Sequence, residues 1–486
     1  MLFNSAEYLL FLPIVLGVYW SLSKQLRAQN AWVLLASYVF YGWWDWRFLA
    51  LLFGTTLNDY LCAIGMTRFE HRSQRRALLT ASIVVNLGVL GFFKYYNFFV
   101  TSFIDAFARL GVELHSPTLK VILPIGISFY TFQALTYTIS VYRGTVKPTR
   151  DPITFFAYVA FFPQLVAGPI ERAGHLLPQF QKPRVVSAAG FADGLRQMTW
   201  GFFCKLVVAD NCAVVVNGLF DQPVPLAGSV VLVASLCFAF QIYADFSGYS
   251  HIALGTARLL GFELMQNFAT PYFAQSVPEF WRRWHISLST WFRDYVYIPL
   301  GGSRVGKGHQ ALNLMATFML SGLWHGANWT FVVWGFLHGA YSVPRVLIGE
   351  PLARFAQSAN ALVRIPTVLF RVALTFTLVL VAWIFFRARD VRTAFGMIVQ
   401  LLSPSLLTSP VAALRGFGVL SSLGYAAFGI AVLLILEFLQ RDKPHALAFD
   451  DQSPLLRRWP AYTAVAAFVL LLRYTGGSLD FIYFQF

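Results

Sequence analysis

From its first residues to its last, the chain keeps returning to apolar runs long enough to enter a bilayer. Runs of roughly spanning length, about 17–25 residues, lie near 7–22, 30–45, 48–66, 78–93, 121–142, 152–168, 189–209, 228–245, 311–325, 328–347, 367–387, 418–438 and 459–474. Hydrocarbon offers the backbone no water, so only helices or closed barrels can cross it. Continuous apolar runs, rather than alternating ones, select helices. Several runs are short or interrupted, which points to about 11 membrane helices plus re-entrant and interfacial segments. The reading is therefore an all-α integral membrane protein. It has one polytopic domain over 1–486, with its chemistry concentrated over residues 120–345.

Composition agrees with this reading. Hydrophobic residues make up 57% of the chain and charged residues 12%, about half the charge of a soluble domain. The net charge is +15, from 37 basic and 22 acidic residues. No soluble basic face is apparent, so nucleic acid is not an expected partner; the excess fits the preference of cytoplasmic loops for Lys and Arg. Lys24 and Arg27, then Arg68, Arg72, Arg75 and Arg76, mark two cytoplasmic loops, and the turn Gly42-Trp43-Trp44-Asp45-Trp46 between them faces outside. Cys62, Cys204, Cys212 and Cys237 lack metal or disulfide spacing and read as small core residues. Residues 1–7 hold no Lys or Arg, and no small-residue cleavage site follows, so the first run is expected to remain as a membrane helix.

Three polar stretches interrupt the apolar sequence between residues 240 and 340. In the first, Gln241, Asp245 and Tyr249 recur every four residues and share one helix face with Ser247 nearby. A carboxylate here either lines an internal cavity or ties helices together. In the second, Trp281, Trp284, His285, Leu288 and Trp291 recur at helical spacing, with Arg282, Arg283 and Arg293 elsewhere around the helix. That pattern predicts one amphipathic helix near an interface, with His285 on its apolar face. In the third, His325 stands between Gly322 and Gly326, flanked by Ser321, Trp324 and Asn328. Glycines let backbone or ligand approach closely. A buried imidazole tends to stay neutral and can accept a proton, as a general base must. The same pattern also fits a histidine that only packs helices. No HExxH, paired CxxC, Walker A loop or Gly-x-Ser-x-Gly elbow is present, and no metal site is expected.

The run Phe280-Trp281-Arg282-Arg283-Trp284-His285-Ile286-Ser287-Leu288-Ser289, followed by Ser321-Gly322-Leu323-Trp324-His325-Gly326, resembles the bacterial membrane-bound O-acyltransferase (MBOAT) family. The resemblance is strongest to its branch that O-acetylates alginate, peptidoglycan and other exopolysaccharides, with D-alanyl transferases more distant. It extends to Pro124–Gln133, Phe162–Arg172, Tyr243–Ser250, Asp294–Ser303 and Asp480–Phe486, in order along nearly the whole chain. One departure is His251, where Asp or Asn is expected.

The resemblance implies an MBOAT ring of tilted helices with a thinned centre, where an outer funnel meets a cytoplasmic tunnel at His325. His325 and His285 are then the expected catalytic residues. Gln241, Asp245, Ser247, Tyr249, Trp284, Ser321, Trp324 and Asn328 are expected to line the substrate path. The implied activity is O-acetyl transfer from cytoplasmic acetyl-CoA, a co-substrate rather than a bound cofactor. The acceptor would be an exopolysaccharide such as alginate, or alternatively peptidoglycan or another cell-wall polymer. Transfer would run through a periplasmic SGNH-type acetyltransferase, from a multi-pass protein in the lipid bilayer of the bacterial inner membrane. Buried polar groups would also suit a transporter, or a non-catalytic scaffold for a secreted acetylase.

Overall fold

The computed structural model describes the chain except residues 113, 115–118, 120, 167, 221, 223–225, 350–356, 358–359, 450–454, 478, 480 and 483–486, together with the side chains of 455–457. Of the closing segment Asp480–Phe486, only Phe481 and Ile482 are among the described residues. The described secondary structure is helical. Seven helices among the described residues are long and apolar enough to cross a membrane: Arg47–Arg68, Arg72–Ala108, Ala188–Phe220, Gly228–Leu259, Trp329–Ile348, Ala361–Arg387 and Leu420–Leu439. Ala6–Ser21, Val391–Leu401 and Arg458–Leu472 are shorter apolar helices. Leu26–Gly42, Ile127–Tyr142 and Lys307–His325 account for further apolar runs of the sequence.

Two of those runs are shorter or more broken than hydropathy suggested. The run at 121–142 becomes helical only from Ile127, because Gly126 adopts φ +76°. A Cβ on Gly126 would stand 2.7 Å from the Leu165 carbonyl oxygen, so the position suits glycine. The run at 152–168 folds as Pro152–Ala160 and Phe162–Leu165, bent at Phe161.

The helices gather into two compact units. The first comprises Met1–Met198 and Ile252–Met265. Its buried polar groups are tied to one another, as apolar surroundings require. Asp59 accepts from Ser82 Oγ at 2.6 Å and from Asn86 Nδ2 at 2.9 Å. Arg184 donates to Tyr19, Asn30 and Gln29. The Glu171 carboxylate accepts from the backbone N–H of Met265 and bonds His175 at 2.8 Å.

The second unit comprises Thr199–His251 and Gln266–Phe486 and carries every candidate site residue. Five of its elements position them: α1 (Gly228–Leu259), α2 (Val277–Arg283), α3 (Ile286–Phe292), α4 (Lys307–His325) and α5 (Trp329–Ile348). Helices α4 and α5 form a hairpin packed backbone to backbone. A Cβ on Gly322 would fall onto the Phe331 carbonyl, one on Gly335 onto the Phe318 carbonyl, and one on Gly326 onto the Phe331 ring. Small residues are what permit such contact between helices. All four cysteines are buried thiols, as their apolar settings suggested.

Candidate active site

The single amphipathic helix expected over 278–294 is two helices. Its first turn is closed by Ser276, whose Oγ accepts from the Glu279 N–H. The break falls at Trp284-His285, where His285 takes the left-handed conformation with φ +42° and ψ 54°. Such a conformation is uncommon for a residue with a side chain and persists only where its surroundings enforce it. Here the segment 267–269 enforces it. Ala269 N–H donates to the Arg283 carbonyl and Ile286 N–H to the Asn267 carbonyl, both at 2.9 Å. The break also sends neighbouring rings to different places. Trp281 meets Trp334 and His338, Trp284 meets Tyr243 and Trp383, and His285 meets Phe246. Trp281, Trp284 and Trp291 are all buried and Arg282 is exposed, but the three rings do not share one helix face.

His285 is fully buried, and its Nδ1 lies 3.0 Å from Asn267 Oδ1. The same oxygen accepts from Ser287 N–H at 3.3 Å. A backbone N–H can only donate, which fixes the orientation of the Asn267 amide. The proton of the neutral His285 ring therefore sits on Nδ1, and Nε2 carries the lone pair.

His325 is the last residue of α4 and is 3% exposed. Its ring is enclosed by Trp324 at 5.0 Å, Trp334 at 5.0 Å and Phe386 at 5.4 Å. Trp324 also meets His285, at 6.2 Å, so one indole lies against both histidines. Gly322 and Gly326 serve the close α4–α5 contact.

A cavity of about 600 Å³ runs beside α4 and α5. Gln310, Leu314, Thr317 and Ser321 line it from α4, and Ser342 and Arg345 from α5. The four α4 residues recur at helical spacing, and the next position in that row is His325. Arg282, Arg293 and Arg345 give the cavity three exposed cationic side chains.

The other expected lining residues divide. Ser321 lines the cavity, Trp324 contacts both His285 and His325, and Trp284 packs on Tyr243, Tyr272 and Trp383. Gln241, Asp245, Ser247 and Tyr249 are buried on α1. Asp245 takes the helix-tying role: Lys205 Nζ lies 2.9 Å from its Oδ1, and Ile482 N–H donates to its Oδ2 at 2.7 Å. Lys205 also pairs with Asp210 at 2.9 Å. Tyr249 packs on Phe481 at 4.6 Å. Asn328 caps α5, its Oδ1 accepting from Thr330 N–H and its Nδ2 donating to the Arg389 carbonyl.

Sequence reasoning missed Asn267, Lys205 and His338. A charge inside the run 189–209 was a legible signal for Lys205. The repeated His-Gly pair, His325-Gly326 and His338-Gly339, marked His338. Nothing local marked Asn267, whose role comes from tertiary contact.

Residues 148–371 match the model of the membrane-bound O-acyltransferase family. Over 400 residues the chain is 44% identical to the alginate O-acetylase AlgI of Pseudomonas putida, covering 82% of this chain and 79% of that one. It is 35% identical to the peptidoglycan O-acetyltransferase of Helicobacter pylori over 82% of this chain and 79% of the relative. Identity to the teichoic acid D-alanyltransferase of Streptococcus thermophilus is 27%, over 60% and 77%. Multi-pass helices, a cavity-lining row that stops one turn short of a buried histidine, and these likenesses along most of the sequence agree: the chain belongs to the membrane-bound O-acyltransferase family.

Proposed function

We propose that this O-acyltransferase moves acetyl groups from acetyl-CoA to hydroxyl groups destined for an exopolysaccharide of the alginate type. The observation that carries this reading is the lining row of α4, whose next member is His325. A donor lying in that cavity with its phosphates toward Arg282, Arg293 and Arg345 would present its thioester end to the buried imidazole. Arginine suits phosphate recognition. Arg304 precedes α4 and Lys307 opens it, and Lys307 Nζ donates to the Leu347 carbonyl near the end of α5. This basic end is assigned to the cytoplasm, which lets the charged donor stay on the side where it is made. Carrying its charge through the bilayer would be very costly.

His325 accepts the hydroxyl proton as the oxygen attacks the thioester carbonyl. The new C–O bond forms, the C–S bond breaks, and the proton passes to the leaving thiolate. Positioning and proton transfer supply the acceleration. The polymer is reached indirectly, through a periplasmic SGNH-type acetyltransferase that takes the acetyl group from this protein in the inner membrane. The higher identity to alginate O-acetylases than to the peptidoglycan enzyme favours the alginate-type acceptor.

The test is acetyl transfer from labelled acetyl-CoA by the purified chain, with its secreted partner and alginate or peptidoglycan fragments as acceptors. Label on alginate that disappears with His325→Gln supports the reading. Label on peptidoglycan alone reassigns the acceptor, and no label with any acceptor rejects the donor.

A further inference from the structure

His338 lies on α5 one turn beyond Trp334 and one turn before Ser342, and it is fully buried. The indole N–H of Trp281 donates to its Nδ1 at 3.2 Å. An indole nitrogen can only donate, so Nδ1 is an acceptor and the ring proton sits on Nε2. The ring is neutral in this arrangement, with its one N–H, at Nε2, inside an aromatic enclosure. Its neighbours are Phe280, Phe318, Trp334 and Trp383, at centroid distances of 6.3, 6.3, 4.8 and 6.4 Å.

Among the described residues, no acceptor lies within hydrogen-bonding reach of His338 Nε2 or of the equally buried Trp334 Nε1. Buried donors in folded proteins are nearly always paired, so two orphans on one helix face call for an explanation. Their position supplies one. Trp334 packs on His325 at 5.0 Å, while Ser342, Trp281 and Phe318 line the 600 Å³ cavity. Successive turns of α5 are about 5.4 Å apart. The series Trp334, His338, Ser342 thus runs from the His325 ring to the cavity wall.

We propose that His338 Nε2–H and Trp334 Nε1–H receive the carbonyl oxygen of the donor's thioester. They hold it beside His325 and stabilise the negative charge that gathers on that oxygen. When the acceptor hydroxyl adds, the carbonyl π electrons move onto the oxygen these two groups hold. When the carbonyl re-forms, the C–S bond breaks and the thiolate leaves with the proton delivered through His325. Preorganised donors in a water-poor site are well suited to this task. The assignment rests on the reading above that a thioester donor occupies the cavity.

The experiment binds acetyl-CoA carrying a ¹³C-labelled carbonyl to the full chain in detergent and records the carbonyl stretch, alongside transfer kinetics. The wild type and His325→Gln should both lower the stretching frequency, because the hydrogen bonds do not need the base. His338→Phe should abolish the shift, lower kcat by about 100-fold, the scale of losing one such donor, and leave binding of plain CoA unchanged. His338→Gln, which keeps an N–H near the Nε2 position, should recover most of both signals. Trp281→Phe keeps the ring but frees the His338 tautomer, and should weaken the shift without changing melting temperature. It also tests the assignment if His338→Phe does not fold. An unshifted stretch in wild-type protein that binds acetyl-CoA overturns this assignment and leaves the donor reading standing. Failure of the wild type to bind acetyl-CoA overturns the donor reading itself. Wild-type behaviour in both His338→Phe and Trp281→Phe removes these groups from the reaction.

Discussion

Asn267 Oδ1 lies 3.0 Å from His285 Nδ1, and this contact decides which nitrogen of His285 carries the lone pair. Leucine at 267 removes the side-chain acceptor shared by His285 and Ser287, while the backbone bonds across the break remain. Asn267→Leu should lower acetyl transfer by about 10- to 100-fold, at or below the low end of losing an acid–base group outright. Aspartate keeps an oxygen for both His285 and Ser287, so Asn267→Asp should restore most of the rate. Equal loss in both variants, in protein that melts like wild type, would contradict the tautomer argument.

His325→Gln is the clean test of the base. Alanine would leave a void within the Trp324, Trp334 and Phe386 enclosure, whereas glutamine keeps much of the volume and lacks basicity. Transfer should fall by about 100-fold or more, as expected when a positioned general base is lost. A well-folded glutamine variant that kept most of its rate would recast His325 as an orienting group.

The Lys205 ammonium holds Asp210 and Asp245 together inside the second unit. Lys205→Met leaves two buried carboxylates without their cation and should cost about 3–5 kcal/mol, typical of breaking a buried ion pair from one side. The triple variant Lys205→Met, Asp210→Asn, Asp245→Asn removes every charge and should recover much of the loss. Thermal unfolding in detergent reads both. A triple variant weaker than the single one would refute the charge argument.

Gly322→Val should destabilise the hairpin by about 1–3 kcal/mol or more, the range for overpacking, because its Cβ would meet the Phe331 carbonyl. Gly17 has nothing within 4 Å of where a Cβ would stand, so Gly17→Ala serves as the control. Similar melting temperatures for the two variants would contradict the packing.

The Glu171–His175 pair makes the first unit sensitive to pH. The hydrogen bond to the Glu171 carboxylate raises the His175 imidazole above its ordinary value, and burial pushes Glu171 up despite that bond. A raised histidine adds stability that is complete below its unfolded pKa, about 6.5. That stability is lost as pH climbs through the raised folded value. Glu171, whose pKa burial raises from an ordinary 4.5, acts in the same sense as pH climbs above that value. Melting temperature should therefore decline as pH rises from 5 to 8, and His175→Ala should remove the upper part of the decline. A wild-type profile that rises over this range would reverse the sign.

Hydropathy located the long apolar helices because burial in lipid is decided by side chains within one segment, and it passed over Val391–Leu401 and the short helices. The same local logic singled out His325 as a candidate, framed by glycines inside an apolar run, while leaving a packing histidine open. It failed where tertiary bonds overrule helical spacing. Trp281 through Trp291 have the periodicity of one helix, with no glycine or proline to warn of a break, yet Asn267 and Ala269 bond across it. Asp245 looked equally suited to lining a cavity or tying helices, and only its partner Lys205, forty residues earlier, decides between them.

The glycine seam between α4 and α5 has a consequence for how a donor arrives. With backbone against backbone at Gly322 and Gly335, the two helices leave no slot between them through which a lipid tail or an acyl chain could slip sideways. Parting them would take the His325 end of one away from the Trp334 end of the other, dismantling the histidine's enclosure in the same movement. Lateral entry to His325 from the surrounding bilayer is thereby closed at this seam.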